Sequence, residues 1–211
     1  MTSVIVAPAT PGPDQTEVQV MVRKLFGILL AMVIALIVIG FMLPASVTIE
    51  RTRVIDHSRE VVFEALRDFR HFTQWAPWLA RQPEMSWRLE GPPQGVGAAL
   101  AWKETPEANE SRMWIVNVDD PRRIDMKLEL SGNEADSWFG VAEGQGGVEV
   151  TWGMRIEFGA LDLVGRYVGL ILPGLVGSDY REGLERLDEY LSRSPGRVPE
   201  LPEDLDTDAG E

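Results

Sequence analysis

The sequence predicts an α+β fold in which a seven-stranded antiparallel sheet wraps around a long C-terminal helix, with one transmembrane helix in front. Three observations predict it. The uncharged run at residues 25–43 is long enough to cross a hydrocarbon core about 30 Å thick. Apolar residues alternate with period two between residues 84 and 158, which is typical of strands. An amphipathic helical repeat then follows from Tyr180 to Leu191.

The run at residues 25–43 has sharp boundaries. Arg23 and Lys24 precede it and Pro44 follows it. Ionised side chains are costly in lipid, and proline does not continue a helix. A retained membrane anchor is the favoured interpretation. A cleaved signal peptide would have a shorter apolar centre, and a buried helix of a soluble protein would show a polar face.

The basic residues nearest the run predict its orientation. Arg23 and Lys24 adjoin it, whereas Arg51 and Arg53 lie several residues beyond it. The positive-inside rule therefore favours a cytoplasmic N-terminus and an exported domain, held by a single span.

Charge and composition exclude several classes of function. The net charge of −13 argues against nucleic acid, which requires a basic face, and against a domain lying flat on anionic lipid. The chain has no cysteine, which excludes disulfides, cysteine-ligated zinc and thiol catalysis. The proline-containing residues 1–22 and the acidic, proline-rich residues 193–211 are predicted to be disordered, so the folded domain is expected at residues 45–192.

The domain is predicted to open with a strand and a helix. Residues 47–55 are rich in β-branched side chains, which favours a strand. Ser58 is placed to cap a helix whose apolar face includes Val62 and Phe69. An aromatic connection, residues 72–78, is expected to lead from this helix to the sheet.

Six further strands are predicted between residues 84 and 158, separated by turns rich in glycine and proline. Strict alternation over consecutive strands indicates an antiparallel sheet with one apolar face. The predicted apolar positions are Met85, Trp87 and Leu89; Ala98, Leu100 and Trp102; Trp114, Val116 and Val118; Ile124, Met126, Leu128 and Leu130; Trp138, Gly140 and Ala142; and Val148, Val150, Trp152, Met154, Ile156 and Phe158.

The C-terminal region is predicted to be helical with one interruption. Asp162 is placed to cap a segment at residues 163–172 that is apolar on nearly every side. Pro173 and Gly174 should then break or kink the helix. Such a segment needs a cover, so it is expected to form a mobile lid over the sheet, a ligand or the membrane.

These stretches resemble the START-like (SRPBCC) superfamily with its helix-grip fold, and more narrowly its polyketide cyclase/dehydrase and lipid-transport type. The resemblance extends to bacterial members that carry an N-terminal transmembrane helix, which implies a single-pass protein of the bacterial inner membrane. The residues that carry it, within about 45–192, are Val61-Val62-Phe63, Trp75-Ala-Pro-Trp78, the glycine- and proline-rich residues 91–97, Val150-Thr-Trp152 and residues 177–184.

The resemblance implies an apolar cavity between the sheet and the long helix, with a lipid or a polyketide- or isoprenoid-like compound as the ligand. Large aromatic and thioether side chains on the apolar face suit such a cavity, although they can equally fill a core. The residues expected to line it are Trp87, Leu100, Trp102, Trp114, Met126, Leu128, Trp138, Trp152, Met154, Tyr167 and Ile171.

Catalytic and metal-binding patterns are not evident in the sequence. His57 and His71 are predicted to be solvated surface side chains, and two histidines at this spacing do not make a metal site. Arg51, Arg53 and Arg112 share strand parity with the apolar face, so one of them is a candidate partner for an anionic ligand group. The expectation is therefore binding without catalysis and without a cofactor. A cyclase or dehydratase and a module that binds another membrane protein are the alternatives.

Overall fold

The computed structural model describes residues 15–82, 85–130, 132–202 and 205. It forms two compact units, residues 1–44 and 45–211. The helices are α1 (Gln15–Met42), α2 (Arg59–Arg67), α3 (Phe69–Trp75), α4 (Pro77–Arg81), α5 (Leu163–Val168) and α6 (Leu172–Ser192). The strands are β1 (Ser46–Ile55), β2 (Ser86–Glu90), β3 (Ala99–Lys103), β4 (Ser111–Asp119), β5 (Arg123–Leu130), β6 (Asn133–Gly144) and β7 (Gly147–Glu157).

Helix α1 begins earlier than predicted. Residues 15–22, which were expected to be disordered, continue the helix of the apolar run, while residues 1–14 lie outside the described residues. The stretch Val18–Met42 is long and apolar enough to cross a membrane, as the first helix of a membrane protein or a signal sequence would be.

The predicted sheet is confirmed. Its seven strands are all antiparallel and follow the order β1-β7-β6-β5-β4-β3-β2. The end at which β1 begins is called the proximal end; it carries Ser46, Glu157, Asn133, Leu130, Ser111 and Lys103. The opposite, distal end carries Ile55 and the β2–β3, β4–β5 and β6–β7 turns.

The connection from β1 to β2 contains three helices, α2, α3 and α4. Ser58 caps α2 as predicted, accepting a hydrogen bond from the Val61 N–H. The aromatic connection, however, is not a loop but contains the second half of α3 and the start of α4. Asp68 ends α2 and caps α3 by accepting the Arg70 N–H at 2.9 Å. Pro77 occupies the first turn of α4, where its missing N–H costs nothing.

The interruption in the C-terminal helix lies earlier than predicted. The short helix α5 ends at Val168, and α6 begins at Leu172 with Pro173 in its first turn. Proline is well tolerated there, so the break falls at residues 169–171 instead of at Pro173-Gly174. The apolar stripe of α6, which includes Tyr180, Leu184, Leu187 and Leu191, is buried against the sheet.

The segment after α6 is partly ordered, in contrast to the expected disordered tail at residues 193–211. Val198 packs against the core, and Pro199 and Leu205 are buried. The few apolar residues among the acids and prolines are thus enough to hold residues 193–202 on the domain. The remaining tail residues, apart from Leu205, lie outside the described residues.

Candidate functional site

An apolar pocket opens at the proximal end of the sheet, beneath the first turns of α6. Its volume is about 170 Å³. Register places the strand residues that line it near the ends of β3 and β5, the start of β4 and the second half of β7. The lining residues are Trp78, Trp102, Glu104, Met113, Leu128, Leu130, Trp152, Met154, Val176, Asp179 and Tyr180.

An aromatic cluster fills the space deeper between the sheet and α6. Its members are Phe72, Trp75, Trp78, Phe139, Trp152 and Tyr180, and Trp152 lies at its centre with ring centroids 4.1–5.9 Å from its five neighbours. Tilted and edge-on contacts of this kind are favourable arrangements of aromatic rings. The deep cavity implied by the resemblance is therefore largely packed, and the open space is a shallow pocket at one end.

Six of the predicted ligand-binding residues lie on the concave face. Trp102, Leu128, Trp152 and Met154 line the pocket. Leu100 and Met126 are buried on the same face, one register step deeper, and belong to the core.

Trp114 and Trp138 are on the wrong face for the predicted role. Both lie on the convex side, where Trp114 stacks with Arg112 at 5.1 Å and Trp138 with Arg123 at 5.0 Å. In β4 a bulge between Ile115 and Asn117 reverses the alternation, so only the last of its predicted positions faces inward.

In β6, several side chains are small, so the sequence does not show clearly which face of the strand is apolar. The inward positions are Ala135, Ser137, Phe139 and Val141, one residue out of step with the predicted set. A bulky side chain at position 138 covers the bare backbone of Gly153 on the neighbouring strand, since a Cβ there would lie 2.2 Å from the Trp138 ring.

Trp87, Tyr167 and Ile171 do not line the pocket. Trp87 pairs with Trp102 but belongs to edge strand β2 and is 37% exposed. It lines a separate groove of about 440 Å³ that includes Arg70, Arg88 and the buried Leu205. Tyr167 is half-buried on α5, and Ile171 is 59% exposed between α5 and α6.

The three arginines considered as anion-binding candidates are engaged elsewhere. Arg51 lies under α6 and donates to the Pro173 carbonyl at 3.2 Å. Arg53 forms ion pairs with Asp188 and Glu185 of α6. These contacts clamp the helix to strand β1.

Arg112 lies on the convex face, where it pairs with Glu90 at 3.0 Å and stacks on Trp114. It is therefore remote from the concave face on which the pocket lies.

His71 is buried, which contradicts the predicted surface position. Its Nδ1 lies 2.7 Å from the hydroxyl oxygen of Tyr190 at the distal end of α6. Burial lowers the pKa of His71 below its ordinary value, although the nearby Asp68 carboxylate opposes this. Burial also raises the pKa of Tyr190 to about 12. A neutral pair in which the hydroxyl donates to Nδ1 fits both shifts.

Three side chains with oxygen atoms line the pocket; Asp179 and Tyr180 are held by neighbouring side chains, and Glu104 is exposed to solvent. Asp179 accepts a hydrogen bond from Arg81 at 2.7 Å. Tyr180 hydrogen-bonds Ser137, and burial raises the pKa of its hydroxyl. Within the described ranges, no group of three or more histidine, aspartate or glutamate side chains is placed to hold a metal ion.

Several pocket residues were not identified from sequence. The bulge in β4 that puts Trp114 on the convex face also puts Met113 on the concave face, where it lines the pocket. Val176 extends the apolar stripe of α6 by one turn toward the proximal end, and Tyr180, the first residue of the predicted stripe, also lines the pocket. Trp78 reaches the pocket because α4 turns the chain back under α6. Pro77 in the first turn of α4 is the sequence feature that indicates where this helix begins.

Comparison with known proteins gives a consistent result for the family. Residues 46–192 match the family model described as polyketide cyclase / dehydrase and lipid transport. No curated protein matches the chain at a significant level.

Solved structures share the fold at low sequence identity. A Thermobifida fusca protein studied by solution NMR has a TM-score of 0.55 at 17% identity, over 72% of this chain and 97% of its own. The di-domain aromatase/cyclase StfQ of the steffimycin biosynthetic pathway has a TM-score of 0.51 at 13% identity, over 71% of this chain and 51% of its own. A Mesorhizobium loti protein has a TM-score of 0.50 at 14% identity, over 70% of this chain and 98% of its own.

Proposed function

Because the chain belongs to the polyketide cyclase / dehydrase and lipid transport family, we propose that its domain binds a hydrophobic small molecule in the proximal pocket without transforming it. The ligand is a lipid or a polyketide- or isoprenoid-like compound. The observation that carries this is the pocket itself, an apolar opening between three tryptophans, two methionines and the start of α6.

Pocket size and lining narrow the ligand class. About 170 Å³ is below the 300–1,000 Å³ typical of sites that enclose a drug-sized molecule, so the pocket is suited to one end of a longer ligand. Trp78 and Trp152 line it, and their buried indole N–H groups have no hydrogen-bond partner among the described residues. Donors of this kind favour a ligand with an acceptor oxygen over a plain hydrocarbon.

The second component of the proposal is the anchor. Helix α1 would hold the domain at the inner membrane as a single span, with the N-terminus in the cytoplasm and the domain exported. Confinement beside the bilayer raises the effective concentration of a membrane-dissolved ligand at the pocket.

Binding is favoured over cyclase-type catalysis by the state of the polar groups at the pocket. A general base near neutral pH must be able to take a proton from the substrate. Asp179 is paired with Arg81, and Tyr180 is a hydrogen-bonded phenol whose raised pKa suits a donor. Neither arrangement is tuned for proton abstraction, and the remaining carboxylate of the lining, Glu104, is exposed to solvent instead of enclosed in the pocket.

Tryptophan quenching by a dibrominated stearic acid tests the binding proposal. All seven tryptophans lie between residues 75 and 152, outside α1, so probe dissolved in the bilayer does not by itself approach them. We expect saturable quenching of the full chain in lipid nanodiscs. Val176→Phe should fill the pocket and weaken the response at least several-fold.

Val118→Phe is the matched control for the pocket variant. Val118 is also partly buried against the core, but it lies near the distal end and does not line the pocket. Equal quenching of the wild type and both variants would contradict binding in this pocket. Quenching that never saturates would show partition into the bilayer alone.

A further inference from the structure

The segment between β7 and the second turn of α6 exposes an unusual number of large apolar side chains. No residue of α5 is buried. The exposed side chains, with their exposed fractions, are Leu161 (82%), Val164 (75%), Val168 (42%), Leu170 (60%), Ile171 (59%) and Leu175 (62%). Monomeric soluble proteins rarely expose such clusters, and when they do, the surface usually contacts a membrane or a partner. These residues are called the apolar segment 161–175.

The apolar segment lies at the proximal end of the sheet. The Phe158 N–H, directly after β7, donates to the Ala45 carbonyl at 2.8 Å. The Phe158 ring then packs against the start and end of α5, because a Cβ at Gly165 or Gly169 would lie 2.8 Å from it. The segment is thus fixed beside the first residue of the domain.

A short linker joins α1 to this end of the domain. Helix α1 ends at Met42 and β1 begins at Ser46. Four Cα-to-Cα steps separate Met42 from Ser46, so these residues lie at most about 14 Å apart even when the chain is fully extended. If α1 spans a bilayer, the apolar segment therefore lies within reach of the lipid surface from which the chain emerges.

The segment's charged groups do not oppose contact with lipid. The Asp162 carboxylate caps α5 by accepting the Gly165 N–H at 2.8 Å. The Arg166 guanidinium bonds back to the Ala160 carbonyl at 3.4 Å. Both groups thus bond to backbone within or directly beside the segment, while its six large apolar side chains named above are exposed.

We propose that the apolar segment 161–175 inserts into the acyl-chain boundary of the bilayer that holds α1, so that the adjacent pocket opens onto lipid. This rests on the membrane anchor of the proposed function. Val176, which lines the pocket, directly follows Leu175 of the segment. A ligand can then pass between bilayer and pocket without crossing water. Insertion is hydrophobic and independent of anionic lipid, which suits a chain of net charge −13.

Single cysteines in the full chain test this insertion, since the natural sequence has none. Ile171→Cys places a fluorophore on the segment. Val96→Cys is the matched control, because Val96 is 60% exposed, close to the 59% of Ile171, but lies in the β2–β3 loop at the distal end. Both proteins are reconstituted in phosphatidylcholine vesicles that contain nitroxide-labelled acyl chains.

We expect the probe at residue 171 to be quenched by the labelled lipid and shielded from aqueous iodide, with the reverse at residue 96. In a Val164→Cys protein, adding Ile171→Ser and Leu175→Ser should abolish most lipid quenching at residue 164. Burial of each such side chain contributes about tenfold to partition into an apolar phase.

The possible results distinguish insertion of the apolar segment 161–175 from membrane anchoring by α1. Equal quenching at residues 171 and 96, in a chain that stays in the vesicles after carbonate washing, would overturn insertion alone. A chain that carbonate removes would overturn the anchor. A probe at residue 171 that is shielded from iodide yet not quenched by lipid would also overturn insertion, because it would show a protein cover such as a second copy.

Discussion

The indole ring of Trp152 stacks on the phenol ring of Tyr180, with centroids 4.1 Å apart and planes inclined by 8°. This contact joins the centre of β7 to α6 and forms the inner wall of the pocket. Trp152 is 1% exposed and Tyr180 is 4% exposed, so the pair is part of the core as well as of the site. The packing that closes the helix onto the sheet therefore also sets the depth of the pocket.

Gly183→Ala should destabilise the domain, because the added Cβ would lie 2.5 Å from Cζ3 of Trp152. Overpacking of this kind costs about 1–3 kcal/mol. Gly174→Ala in the same helix is the control, since nothing lies within 4 Å of its Cβ, and it should be neutral or slightly stabilising. Denaturant unfolding followed by tryptophan fluorescence measures both. Equal free energies of unfolding would show that α6 does not pack on Trp152 as described.

Tryptophan substitutions should separate the two faces of the sheet. Trp102→Phe changes a pocket wall and should alter the quenching by brominated stearic acid. Trp114→Phe and Trp138→Phe remove rings from the convex face and should leave the apparent affinity unchanged. Titration of the three variants in nanodiscs checks this. A weakened affinity in either convex-face variant would place the ligand on the other side of the sheet.

Helix α5 should open far more readily than α6. No residue of α5 is buried, whereas α6 buries seven residues against the sheet. Local opening requires little free energy where few apolar contacts are broken. Hydrogen exchange of the full chain in detergent should show rapid exchange at residues 163–168 and slow exchange at residues 180–191. Similar protection in both would mean that the two helices open together.

Acidification should destabilise the domain through His71. Its pKa is lowered in the folded state by burial, so the unfolded chain binds the proton more readily. The stability present above pH 6.5 should then decline as the pH falls below that value, by at most about 1.4 kcal/mol per pH unit from this group. His71→Gln keeps a hydrogen-bond acceptor for Tyr190 but does not titrate in this range.

Unfolding of the wild type and His71→Gln between pH 7.5 and 5.5 provides the comparison, and the variant should show the smaller decline. Identical declines would assign the acid sensitivity to the carboxylates instead.

The fold was predictable because its strongest signals are periodic. The apolar run, the alternation in β5 and β7, and the stripe of α6 each repeat over several turns or pleats, so a local exception does not hide the pattern. The site was less predictable because it depends on which face of the sheet each strand residue occupies. One extra residue in a strand exchanges the two faces for the residues beyond it. The bulge after Ile115 moved Trp114 to the convex face.

The sequence pattern also does not predict which single polar residues are buried. His71 follows Arg70 in a polar stretch, and its hydrogen-bond partner, Tyr190, lies 119 residues further along the chain. The depth of the pocket likewise depends on how Phe72, Trp75 and Trp152 interlock, which periodicity does not encode.

Native mass spectrometry tests the central claim most directly. The full chain is released from native-lipid nanodiscs, and its mass is compared with that of Val176→Phe and Val118→Phe. The account predicts a bound molecule of lipid-like mass, at one per chain, on the wild type and Val118→Phe but not on Val176→Phe. An unliganded wild type, or the same adduct on all three proteins, would contradict the claim that the proximal pocket binds a hydrophobic ligand.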